Sequence, residues 1–155
     1  MGILVSNSKY LSNNSSEKHG IFKCEDKRCK VCKLYLQECE SFMTAKPYNW
    51  KVRCHVTCNS KNALYYLVCT SCEKESNTGK TDDLRARTNN HITACRHGKS
   101  SDKFDNHVYK CQNKDGKIPR EPYFRLYVFM VLSNYEKLRN YERKLHLEGH
   151  DTINR

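Results

Sequence analysis

The chain has 155 residues, 37% of them apolar, with a mean hydropathy of −0.88 and a formal charge of +11. That length suits one domain with a small core, and no run approaches the ~18 apolar residues of a membrane span or a signal peptide's hydrophobic region, which argues against a membrane or secreted protein. A pI near 9.2 points to a polyanionic partner, nucleic acid before membrane, and ten cysteines without a secretion signal fit metal binding in a reducing compartment better than a disulfide framework.

Residues 1–20 are polar and are predicted to be a disordered tail. The opening Met1-Gly2-Ile3-Leu4-Val5-Ser6 fits a loose myristoylation pattern, but no second lipid signal accompanies it. Residues 21–60 read as a Cys-rich annex. Cys24, Cys29 and Cys32 give C-x4-C-x2-C amid Lys23, Lys27, Arg28, Lys30 and Lys33. Three such thiolates need a fourth ligand to close a tetrahedron about zinc. Cys39, Cys54, His55 and Cys58 are the candidates. Cys58 is favoured because it directly precedes the next strand and would clip the annex to the core. The competing account is three free thiols in a loose loop. The lysines offset thiolate charge and could touch phosphates. Segment 36–52, with Phe42, Pro47, Tyr48 and Trp50, carries no element that its pattern assigns.

Ala63-Leu64-Tyr65-Tyr66-Leu67-Val68 is a continuous apolar and aromatic run, predicted as a buried strand. Cys69 and Cys72 follow at C-x2-C spacing, which lets one tight turn offer two thiolates to zinc. Thr78-Gly79-Lys80-Thr81 ends a second short strand, and Thr81 is predicted to cap a helix with Asp82 and Asp83 in its first turn. Leu84, Arg87 and His91 then fall at i, i+3 and i+7 and share a face. The ordinary alternative is a half-buried helix whose basic residues point to solvent. His97 and the following GKSSDKFDN read as a loop. His107 and Cys111 stand four apart, a pair that a helical turn or loop could bring to one metal.

Tyr123 to Val131 is the clearest strand of the chain. Ser133 or Asn134 is predicted to cap a closing helix in which Leu138, Tyr141, Glu142 and Leu145 recur at helical spacing, with Gly149 as its stop. Glu142 would lie on the packed face, where a carboxylate needs a lysine, an arginine or a metal as partner.

The order apolar-apolar-Tyr, then T-G-K-T, then L-R-A-R-T-N-N-H resembles the GIY-YIG nuclease signature, with the L-x-x-R-x-x-x-H portion the best match. The cysteines between the half-motifs make the chain similar, more narrowly, to the endonuclease domain of Penelope-like retroelements. Ala63-Leu64-Tyr65 stands for the first half-motif and Asn77-Thr78-Gly79 for the second, whose tyrosine is replaced by Asn77. The resemblance implies an α+β fold. A small antiparallel three-stranded sheet would be flanked by helices and carry a zinc-stapled N-terminal annex, with residues 61–155 as the nuclease domain.

The resemblance also implies two structural zinc sites. One holds Cys24, Cys29, Cys32 and Cys58; similar sequences carry a cysteine at the last position. The other joins Cys69 and Cys72 to His107 and Cys111, where the family takes its last two ligands as histidines. Cys39, Cys54 and Cys95 would then remain free thiols. Glu142 would hold a catalytic Mg²⁺ or Mn²⁺, and Asn154 would lie near the DNA phosphate. Tyr65 would orient or deprotonate the attacking water, with Tyr66 as its substitute if the strand faces the other way. Arg87 would neutralise charge on the phosphoryl oxygens, and His91 would hold the tyrosine or a phosphate.

The expected function is a metal-dependent DNA endonuclease from a mobile element, intracellular and nuclear, with no small-molecule cofactor. A catalytically inactive zinc-stabilised nucleic-acid-binding protein is the alternative, and a redox or metal-buffering protein a weaker third. Ending at Arg155, soon after Asn154, the chain is compatible with a piece of a longer element product.

Overall fold

The structure is a computed structural model that describes residues 18–113 and 119–132. Its organising strand is β5 (Lys61–Cys69), whose residues Ala63 to Leu67 are all buried. Such a run survives only when covered on both faces and paired on both edges. β5 meets both needs as the middle of an antiparallel sheet ordered β6-β5-β7, between β6 (Ser76–Asp83) and β7 (Phe124–Val131). β7 is as apolar as its sequence suggests. β6 is not: SNTGKTDD has no strand propensity to speak of, and it is held by pairing with β5 from Lys61–Asp83 to Val68–Ser76.

That pairing corrects the predicted helix start. The strand continues through Asp83, and that residue rather than Thr81 caps α1 (Leu84–His97), accepting from the Ala86 N–H at 3.1 Å. Thr81 instead braces the turn, its hydroxyl lying 3.1 Å from the Asp83 N–H and 3.0 Å from the Asp83 carbonyl. Gly98, at φ +71°, closes α1 in the left-handed conformation that a side chain would resist. The chain then reverses into α2 (Lys103–Gln112), so of the stretch read as a loop Gly98 to Asp102 is loop, while His97 ends α1 and Lys103 to Asn106 already belong to α2. Asp102 caps it, accepting from the Phe104 N–H at 2.9 Å. Gln112 ties the pair together by donating to the Cys95 carbonyl at 3.1 Å and accepting from the Tyr123 N–H at 3.0 Å.

The annex covers the sheet's other face. The unassigned segment 36–52 holds an antiparallel hairpin of β2 (Ser41–Met43) and β3 (Asn49–Lys51). Its inward residues Phe42 and Trp50 pack on Tyr66, Tyr127 and Phe129. The pairing of β5 with β7 shifts register between Leu64 and Tyr65, leaving Phe129 without a partner on β5. A carbonyl freed by such a bulge needs a donor, and the Trp50 indole N–H fills the role at 3.0 Å. A single π-helical turn (Val31–Tyr35) stacks Tyr35 on Phe124. Gly20–Ile21 forms β1, parallel to β4 (His55–Val56), so the segment predicted as a tail is ordered from Gly20; residues 1–17 lie outside the described residues. Buried side chains of annex, sheet and helices form one contiguous cluster.

The protein is therefore a mixed α+β molecule of small sheets and short helices with cysteine clusters at two corners. Among the described residues no helix is long and apolar enough to cross a membrane.

Candidate active site and metal centres

Alternation along β5 sends its two adjacent tyrosines to opposite faces. Tyr66 enters the aromatic side, where its oxygen accepts the Ala45 N–H at 2.6 Å. Tyr65 turns to the helices, and there α1 brings two side chains to its hydroxyl. Arg87 Nε donates to it at 3.1 Å, and His91 Nε2 stands 2.9 Å away. Gly79, opposite Tyr65 on β6, makes this seat: a Cβ there would fall inside the van der Waals envelope of the tyrosine Cζ and hydroxyl. The structure thus unites Tyr65, Arg87 and His91 and leaves Tyr66 elsewhere. Glu142 and Asn154, like the rest of the closing segment from Ser133, lie outside the described residues.

Two carboxylates that the sequence did not single out complete the group, both from α2. Asp105 Oδ1 lies 2.6 Å from His91 Nδ1, with Asp105 3% and His91 1% exposed. Asp102 gives one oxygen to the helix cap and turns the other to Arg87 at 3.6 Å. The signal was available. An aspartate directly before a segment with Phe104 and Val108 at i and i+4 marks a helix start, and that helix must return to α1. No local pattern, however, pairs Asp105 with His91.

The site's electrostatics depart from expectation. A tyrosine that is to deprotonate water needs nearby cations to lower its phenol. Burial instead pushes its phenol up to about 12, and Arg87 offsets only part of that cost. At neutral pH the hydroxyl is protonated and is a donor. The Arg87 guanidinium, about 40% exposed, is the charged group of this cluster that meets solvent.

Two other clusters have the chemistry of zinc sites. The ligand atoms of Cys24, Cys29, Cys32 and Cys58 lie within 4.8 Å of one another. Sulfurs ~2.3 Å from one zinc stand ~3.8 Å apart in a tetrahedron, and the Cys29 and Cys58 sulfurs are 3.8 Å apart. Arg85, two residues before Arg87 on α1, reaches Cys58 Sγ at 2.8 Å and Cys24 Sγ at 3.9 Å. A guanidinium donating to sulfur selects the thiolate, so the donor set fits a dianionic zinc centre with four cysteine ligands. Lys23, Lys27, Arg28, Lys30 and Lys33 around it are exposed.

In the second cluster Cys69, Cys72, His107 and Cys111 converge within the same 4.8 Å. The C-x2-C turn between β5 and β6 supplies two ligands and α2 the others, with Cys72 Sγ 3.4 Å from His107 Nε2. Burial pushes Cys72 up, but the backbone N–H groups of Lys74 and Glu75, with His107, outweigh it and bring the thiol down to about 6. Burial holds Cys69 at about 12, as a thiol whose ionisation awaits a cation. Both clusters could hold zinc. Cys39, Cys54 and Cys95 belong to neither. His91, Asp102 and Asp105 form a third close group. Their 2.6 Å contact is a hydrogen bond, tighter than the ~3 Å separating neighbouring ligands ~2.1 Å from a Mg²⁺ ion.

Compared with family models, with curated proteins and with solved structures, the chain matches none.

Proposed function

We propose that this protein is a metal-dependent DNA endonuclease of GIY-YIG type that hydrolyses phosphodiester bonds beside Tyr65. The observation that carries the reading is the meeting of Arg87 Nε and His91 Nε2 on one buried phenol oxygen, at 3.1 and 2.9 Å. A core has no need to gather a guanidinium, an imidazole and two carboxylates around a tyrosine, and isolating such groups from water is costly. A three-stranded antiparallel sheet beside the L-x-x-R-x-x-x-H helix supports this reading.

In the proposed reaction the water oxygen bonds to phosphorus as the bond to the bridging ester oxygen breaks. The water's proton passes to the phenol oxygen as the phenol's own proton passes to His91 Nε2. The departing oxygen takes a proton from solvent. Arg87 stays charged at any working pH, and its exposed edge neutralises charge growing on the phosphoryl oxygens. Glu142 is the residue that would hold Mg²⁺ or Mn²⁺, which when bound supplies polarisation of the phosphate and stabilisation of the leaving oxygen. Asp102 and Asp105 already serve Arg87 and His91. The exposed lysines around the annex cysteines supply backbone contacts to DNA.

A silent nucleic-acid-binding protein is the second reading, favoured by one observation: Asn77, in place of the second motif tyrosine, is 2% exposed, and Tyr65 is equally buried. Supercoiled plasmid with purified protein and Mg²⁺ or Mn²⁺ separates the two. Nicking that disappears in Arg87→Ala and Glu142→Ala, with salt-sensitive binding retained, supports the nuclease. A band shift without nicking in either metal selects the binder.

A further inference from the structure

Asp105 has no part in the reaction just described, yet it is the most deeply engaged acid in the site. We propose that Asp105 is a positioning residue: it fixes the proton of His91 on Nδ1 and so reserves Nε2 to receive the proton of Tyr65. The mechanistic use of this geometry rests on the nuclease reading; the proton assignment does not.

Counting donors settles the direction of every bond in the chain. Arg87 Nε has only a proton to offer, and it points at the Tyr65 oxygen from 3.1 Å. If His91 Nε2 also donated there, the phenol's own proton, in a residue 2% exposed, would find no acceptor among the described residues. The phenol must therefore donate to Nε2 at 2.9 Å, and neutral imidazole must carry its proton on Nδ1. Asp105 Oδ1 receives that proton at 2.6 Å. Its other oxygen accepts from Ser100 Oγ at 3.4 Å, and Cys95 Sγ donates to Oδ1 at 3.6 Å, so the carboxylate is held from three sides. Among the described residues, the charged and titratable groups around His91 are Tyr65 from β5, Arg87 and Cys95 on its own helix, and Asp102 and Asp105 from the cap and first turn of α2.

The result is a one-way line of donors, Arg87 to Tyr65 to His91 to Asp105, from a guanidinium to a carboxyl group. Bonds aligned in this way polarise one another. Moving the phenol proton one step along it leaves phenolate beside guanidinium and imidazolium beside carboxylate. Every new charge then has an opposite neighbour already in place. This is how a phenol that burial keeps protonated could still take a proton from water, since its own proton leaves within the protein.

The test is long-range ¹H–¹⁵N correlation of the ¹⁵N-histidine-labelled, zinc-loaded full chain, with His91 assigned through His91→Gln. The expected spectrum has His91 protonated on Nδ1 with an unprotonated, hydrogen-bonded Nε2. A proton on Nε2 in the wild type overturns the proposal, and this measurement needs no altered site. Asp105→Asn nearly preserves shape but offers an NH₂ to Nδ1. It is expected to move the proton to Nε2 and to lower kcat for nicking about a hundredfold or more at unchanged KM, as wrong-tautomer variants of His–Asp pairs do. Asp105→Asn with the wild-type tautomer and rate would show that the residue only packs, and would also overturn the proposal. Should Asp105→Asn fail to fold, Tyr65→Phe decides the same point: His91 is expected to keep its proton on Nδ1 with the phenol gone, and loss of that preference sinks the role given to Asp105. A wild type that never nicks refutes the nuclease reading, while the spectrum alone still decides the proton's position.

Discussion

Tyr65 and Tyr66 are neighbours on one strand, both almost fully buried, and burial raises both phenols. What surrounds them is opposite in kind. Tyr66 sits among Phe42, Phe129 and Tyr127 at ring separations of 5.5–6.5 Å, with one backbone N–H on its oxygen. Tyr65 has a cation, an imidazole and, one bond further, two carboxylates. Burial and perturbed acidity alone therefore do not mark a site here; the charged network does. The same comparison explains the annex, which is the aromatic lid of the Tyr66 face and leaves the other face to α1 and α2.

The largest expected effect separates the two tyrosines directly. Tyr65→Phe should lower the rate of plasmid nicking about a thousandfold, in the range for loss of a positioned acid–base group. Tyr66→Phe should leave it within about threefold and instead cost about 1–2 kcal/mol in denaturant unfolding, because the Ala45 N–H loses its acceptor. Equal losses of activity would dissolve the distinction.

Gly79→Ala displaces the Tyr65 ring without touching a charge. A misplacement of ~1 Å costs about a hundredfold in rate. The expected result is that loss with zinc content unchanged, and wild-type nicking would show that the Tyr65 seat has no bearing on activity.

A smaller effect tests how the annex is joined to α1. Metal analysis should return about two zinc per chain from the two four-ligand clusters. Arg85→Gln should then weaken retention of one zinc about tenfold against a chelator, the lower end for outer-shell partners, and quicken alkylation of Cys58. Uniform release of both metals would place Arg85 outside the zinc site.

The smallest effect is in alkaline stability. Folded Tyr65 keeps its proton to about 12, whereas the unfolded phenol loses it near 10. The folded state binds more protons between these values, so this contribution is full below pH 10 and declines as pH rises through 12. Tyr65→Phe should flatten that slope in pH-dependent melts. A slope identical to wild type would mean that the phenol titrates normally.

Much of this protein is determined by local sequence. Continuous apolar runs with β-branched or aromatic content mark β5 and β7, C-x2-C spacing marks the cysteine turns, and the 3.6-residue period puts Arg87 and His91 on one face, because each depends only on backbone geometry over a few residues. Local pattern ran out where pairing overrides propensity. It marked a second strand ending at Thr78–Thr81, but the edge of β5 carries the polar β6 on to Asp83 and so moves the helix cap there from Thr81. The hairpin over segment 36–52 is defined by the aromatic face it covers.

Only the tertiary structure decided which tyrosine meets the helices, that Asp105 closes on His91, and that Arg85 lies against the Cys24–Cys58 cluster. Each joins side chains on different elements, and long-range contacts leave no period in a single sequence. They are chosen by which buried charges find partners, a sum over the whole core.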